Sequence, residues 1–71
     1  MCKYIIIIER TENCYSAYCP DFPGCVATGS TMEGTMQNMK EAVEFHIEGM
    51  KQENLPIPEP SAEVASIELK V

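Results

Sequence analysis

Residues 3–9 read Lys-Tyr-Ile-Ile-Ile-Ile-Glu, a β-branched run too short for a helix and apolar at every interior position. That pattern predicts a strand with Tyr4, Ile6 and Ile8 on one face and Ile5 and Ile7 on the other, both faces needing cover. The polar stretch Arg10, Thr11, Glu12, Asn13 closes a hairpin, with Asn13 suited to a left-handed conformation. Residues 14–19 then alternate Tyr15, Ala17 and Cys19 against Ser16 and Tyr18. Pro20 ends this second strand because it has no N–H to donate to a ladder. Residues 25–29 supply a third strand.

From residue 30 the period changes. Ser30-Thr31-Met32-Glu33 has the form of a capping box, with the Ser30 hydroxyl accepting from the Glu33 N–H. Met32, Met36, Met39, Val43, His46, Ile47 and Met50 recur at steps of three and four, the stripe of an amphipathic helix running to about Glu53. Its opposite face carries Glu33, Gln37, Lys40, Glu41, Glu44, Glu48 and Lys51. Asn54-Leu55-Pro56-Ile57-Pro58-Glu59-Pro60 cannot continue the helix and predicts an extended connection. Residues 62–71 alternate again, Val64, Ser66, Glu68 and Lys70 against Ala65, Ile67, Leu69 and Val71, and predict a last strand. The order is β-β-β-α-β: an α+β domain over residues 1–71, one sheet with one long helix on one face. No second helix exists to cover Ile5 and Ile7, which makes them candidates for an interface between copies.

Seventy-one residues allow one domain with a small core. An apolar fraction of 45% is generous for that size and points to apolar surface covered by another chain, as in a homo-oligomer. The formal charge of −6 argues against direct nucleic-acid binding, which draws its affinity from Lys and Arg. It suits a basic protein partner, whose encounter it would steer. The chain starts at Met1 without a basic segment, an apolar core or a cleavage site, so a cytoplasmic location is expected. No apolar run is long enough for a membrane span. Cysteines at 2, 14, 19 and 25 show no zinc-like pairing and read as reduced; Cys19 and Cys25, with no Lys or Arg between residues 11 and 39, read as packing residues.

Little supports catalysis. Glu9, Asp21 and Glu68 are the carboxylates the sheet and loop could bring to a metal ion, and edge charges that discourage strand addition are the plainer explanation. His46 has no identifiable nucleophile to serve. The loop Pro20-Asp21-Phe22-Pro23-Gly24 is different: two prolines, an acid and a glycine between two strands make a stiff, shaped segment suited to recognition. Its Phe22 either folds under as a plug or stands out as an anchor.

The ordered set Tyr15-x-x-Tyr18-x-Pro20-Asp21-Phe22-Pro23-Gly24-Cys25-Val26-Ala27-Thr28-Gly29, then Asn38-x-x-Glu41-Ala42, Gly49 and Leu55-Pro56-Ile57-Pro58-x-Pro60, resembles the HicB-like antitoxin family across nearly the whole chain. The resemblance implies a partial ribonuclease-H-like fold and protein binding rather than catalysis. It implies a partner too: a small basic HicA-like ribonuclease toxin, neutralised by covering its RNA-binding and catalytic face. No catalytic residue, cofactor or metal is implied. Partner binding is expected at Tyr18, Pro20, Asp21, Phe22, Pro23 and Gly24, and self-association at Ile5 and Ile7. Many family members carry a C-terminal DNA-binding segment; none follows the last strand here, so operator binding is not carried over. The alternatives are an orphan homo-oligomeric domain without a toxin, ligand-binding or structural, and a residual metal-dependent nuclease.

Overall fold

The computed structural model describes residues 2–71; Met1, where the reading of the chain start begins, lies outside them. Three antiparallel strands are followed by one helix: β1 (Ile7–Arg10), β2 (Tyr15–Tyr18), β3 (Val26–Gly29) and α1 (Met32–Gln52). The sheet order is β1-β2-β3. Ile8, Ala17 and Ala27 stand opposite one another in one row, and Ile7, Tyr18 and Val26 in the next. Because side chains alternate, these rows lie on opposite faces. The helix packs on β2 and β3, on the face bearing Ala17 and Ala27. Ala17, Cys19, Phe22, Cys25 and Met39 form the buried core, with Tyr4, Ile6, Ile8, Val43, Ile47 and Met50 packed around it. Tyr4, Ile6 and Ile8 therefore share the helix side, as their alternation predicts.

Five local expectations are corrected. The first strand is shorter: residues 2–6 belong to no ladder, since β2 ends at Tyr18 opposite Ile7. The β1–β2 turn is not closed by a left-handed Asn13; Asn54 is the one non-glycine residue with positive φ among those described. Instead Thr11 clamps the turn: its hydroxyl donates to the Cys14 carbonyl at 2.9 Å and accepts from the Cys14 N–H at 3.2 Å.

The helix cap is Thr31 rather than Ser30, its Oγ1 accepting from the Gly34 N–H at 2.9 Å. A close approach of β3 to the first turn sets this register. A Cβ on Gly29 would sit 2.5 Å from Thr35 Oγ1 and 2.9 Å from its backbone nitrogen. Thr35 is fully buried there and donates to the Thr31 carbonyl at 2.7 Å. Glu33 then lies in the first turn, where it complements the helix dipole instead of closing a capping box. At the other end the Leu55 N–H donates to the Met50 carbonyl and the Asn54 N–H to that of Lys51. Together with Asn54 at φ 58 this is a Schellman stop.

His46, which its spacing puts in the apolar stripe, is exposed, although its ring meets the edge of Phe22.

The largest correction concerns residues 62–71, which form no strand in the single chain. Alternation makes a segment competent for a sheet, but only a partner edge makes it a strand. Upstream, the Tyr4 hydroxyl donates to the Pro58 carbonyl at 2.6 Å, and Ser61 is bonded to Asp21. Beyond that clasp residues 63–71 are exposed, in a molecule 48 Å long and 20 Å thick.

Candidate partner-binding surface

Two successive turns build the loop between β2 and β3. The Phe22 N–H donates to the Cys19 carbonyl and the Cys25 N–H to the Phe22 carbonyl, both at 3.1 Å. In the second turn Pro23 takes the position its fixed φ favours, and Gly24 follows at φ +84, the left-handed value a type II turn requires. Each proline thus sets one turn, and the chain between them has little freedom left.

Of the alternatives for Phe22 the structure takes the plug. Phe22 is 1% exposed, with Tyr4 at 4.9 Å and His46 at 5.6 Å between ring centroids, both edge-on. It therefore does not share the surface with its neighbours; it holds the loop to the core from beneath. Asp21 is turned toward the chain as well: Oδ1 accepts from the Ser61 hydroxyl at 2.6 Å and Oδ2 from the Ser61 N–H at 3.3 Å. The Ser61 hydroxyl bond is the main reason its carboxyl lies below the usual carboxylate value, against a partial desolvation that pulls the other way. Pro20, Pro23 and Gly24 remain exposed, and Tyr18 is 42% exposed.

The register joins these residues to the helix-free face of the sheet. Ile7, Tyr18 and Val26 lie side by side across three strands, with Val26 65% exposed. Ile5 precedes this row by two residues, outside the ladder, with its carbonyl accepting from the Cys19 thiol at 3.4 Å. The next row on that face, Glu9, Ser16 and Thr28, is polar. The half nearer the loop is consequently an apolar patch edged by Pro20 and Pro23, which joins Ile7, expected to serve self-association, to Tyr18 of the expected partner-binding set. Val26 was not singled out from sequence; its place opposite Tyr18 comes from the strand register. Phe45 was missed as well. It stands 82% exposed on the helix, outside the apolar stripe.

The carboxylates of the nuclease alternative do not converge. Asp21 is occupied by Ser61, Glu68 projects with residues 63–71, and among the described residues no three His, Cys, Asp or Glu side chains gather to hold a metal ion. Cys19 and Cys25 are buried and free of disulfides, and burial pushes the Cys25 thiol up from its ordinary value, away from the thiolate a nucleophile needs. No described helix is long and apolar enough to cross a membrane. The arrangement offers shape, apolar area and a rigid loop, which suits recognition of another macromolecule.

Comparison with known proteins points the same way. Residues 4–69 match the family model described as the HicB-like antitoxin of bacterial toxin-antitoxin systems. A chain of a solved HicA3 and HicB3 toxin-antitoxin complex superposes with a TM-score of 0.70 at 35% identity, over 84% of this chain and 70% of that one. An uncharacterized 14.9 kDa protein of Haemophilus phage HP1 is 44% identical over 78% of this chain, a match spanning 41% of the phage protein. A UPF0150 protein of Thermoplasma acidophilum is 36% identical over 92% of this chain and 96% of its own length. One from Synechocystis is 33% identical over 97% and 89% respectively.

Proposed function

This chain belongs to the HicB-like antitoxin family, and we propose that it is a non-enzymatic, cytoplasmic protein-binding module that neutralises a small basic HicA-like ribonuclease by covering its RNA-binding and catalytic face. The observation that carries this reading is the apolar row Ile7–Tyr18–Val26 continuing into the Pro20–Pro23 rim, on a sheet face that no helix covers. Its likeness to a chain of a toxin-antitoxin complex supports the same role. A formal charge of −6 favours rapid encounter with a basic partner, and the uncharged patch then supplies the desolvated contact. Tyr18, Pro20, Pro23 and Gly24 make that contact, with Val26 added to them. Asp21 and Phe22 act from behind, holding the loop in shape. The chain also self-associates, as a dimer or tetramer, and Ile5 and Ile7 belong to the surface available for that.

The test is affinity purification of the tagged chain from its native host, with mass spectrometry of what co-elutes. A small basic protein in stoichiometric amount, whose RNA cleavage stops when the chain is added, is the expected result. Recovery of the chain alone favours an orphan oligomer.

A further inference from the structure

The helix lies over β2 and β3 and leaves the helix-side face of β1 open. Between them runs a groove of about 960 Å³, with Tyr4 and Ile6 on one wall and Met36, Val43 and Ile47 on the other. Beside it β1 has a free edge, since it pairs only with β2, and residues 2–6 belong to no ladder, although the Cys19 thiol donates to the Ile5 carbonyl at 3.4 Å. A bare edge next to an apolar groove lacks one strand.

The chain carries a segment of matching pattern. Ala65, Ile67, Leu69 and Val71 fall on one face of residues 62–71, and Ile67 and Leu69 are 79% and 73% exposed. Ten extended residues reach about 33 Å, against roughly 21 Å for the helix flank from Glu33 to Ile47, so the segment spans the groove. In its own protomer the segment does not fill it, since residues 63–71 are exposed. After meeting Tyr4 through Pro58 the chain is held at Asp21, in the β2–β3 loop, across β1 from the free edge.

We infer that residues 62–71 of one copy add to the free edge of β1 in a second copy, laying Ala65, Ile67, Leu69 and Val71 in its groove, and that the exchange is reciprocal. The area is adequate. Four apolar side chains at ~60–120 Å² each, an equal loss from the groove wall and two such contacts bury ~1,000–2,000 Å², the range of a stable interface. This rests on the self-association stated above and is independent of the toxin.

Light scattering on the 71-residue chain gives the mass, and isotope-filtered NOEs on a re-equilibrated mixture of labelled and unlabelled chain tell whether contacts cross between copies. The expected result is an oligomer with intermolecular NOEs from Ile67 and Leu69 to Val43 and Ile47. The paired substitution Ile67→Asp and Leu69→Asp, which alters only exposed positions of the single chain, should then raise the dissociation constant by more than ~100-fold with the helix retained. An oligomer lacking those NOEs and unaffected by the paired substitution overturns the exchange and leaves self-association through another face. A monomer, with or without such contacts inside one copy, overturns both.

Discussion

Replacing Phe22 by Leu separates a plug from an anchor. The leucine keeps most of the apolar burial and removes both ring edges, those facing Tyr4 and His46. Each edge-on pair contributes ~0.5–1.5 kcal/mol beyond area burial, so the loss is about 1–3 kcal/mol. A domain of this size has ~4–11 kcal/mol in total, which leaves it folded but visibly weakened. At ~4–8 °C per kcal/mol the melting temperature falls by at least ~4 °C, measured by circular dichroism at matched protein concentration because the proposed self-association would also raise it. Binding to the proposed toxin partner, measured on the folded fraction, changes little, since Phe22 is buried. An unchanged melting temperature with affinity lost by tenfold or more would refute the reasoning and make Phe22 a contact residue.

Thr31→Ala should cost about 1 kcal/mol by removing the helix cap, while Ser30→Ala costs less than half of that; equal losses in thermal melts would argue against Thr31 as the cap. Gly29→Ala drives a Cβ into the Thr35 backbone, and roughly 1–3 kcal/mol is expected from urea titration. Gly24→Ala meets no neighbour but is forced into φ +84, costing about 1–2 kcal/mol, and Gly24→Asn should cost less, as Asn tolerates that region. For the Asp21–Ser61 clasp the folded carboxyl lies below its ordinary 3.8. Its contribution is therefore complete above that value and is lost as pH falls through the lower folded one. The Ser61 amide resonance should hold still from pH 7 to 5 and move only below about 4; movement near pH 6 would contradict the assignment.

Periodicity made much of the fold legible. The isoleucine run, the alternation of Tyr15, Ala17 and Cys19 and the methionine stripe specify three strands, one helix and the face on which they meet. What stayed hidden depended on contacts between distant residues. Ser30 and Thr31 offer similar hydroxyls, and the buried meeting of Gly29 with Thr35 decides between them. Asn13 and Asn54 suit the same backbone region, and the helix stop selects Asn54 while Thr11 closes the other turn. Phe22 has no period to place it; only Tyr4 and His46, from elsewhere in the chain, show where its ring goes. Residues 62–71 have strand chemistry throughout, yet pairing is a property of two edges and the pattern describes one. The proposed binding face was visible only in pieces: the loop from its prolines, Ile5 and Ile7 from their alternation. Their continuity through Tyr18 and Val26 came from the register.

The most direct test of the account measures RNA cleavage by the co-purifying basic protein, with this chain added in increasing amounts, alongside the variant Tyr18→Asp with Val26→Asp. Both side chains are exposed, Tyr18 at 42% and Val26 at 65%, and circular dichroism of the variant checks that its helix and melting transition are retained. The account predicts that the native chain abolishes cleavage at stoichiometric amounts while the variant needs at least ~100-fold more, as expected when charge enters the centre of an interface. Inhibition by the variant equal to that of the native chain would place the toxin on another surface, and cleavage untouched by the native chain would contradict the antitoxin role itself.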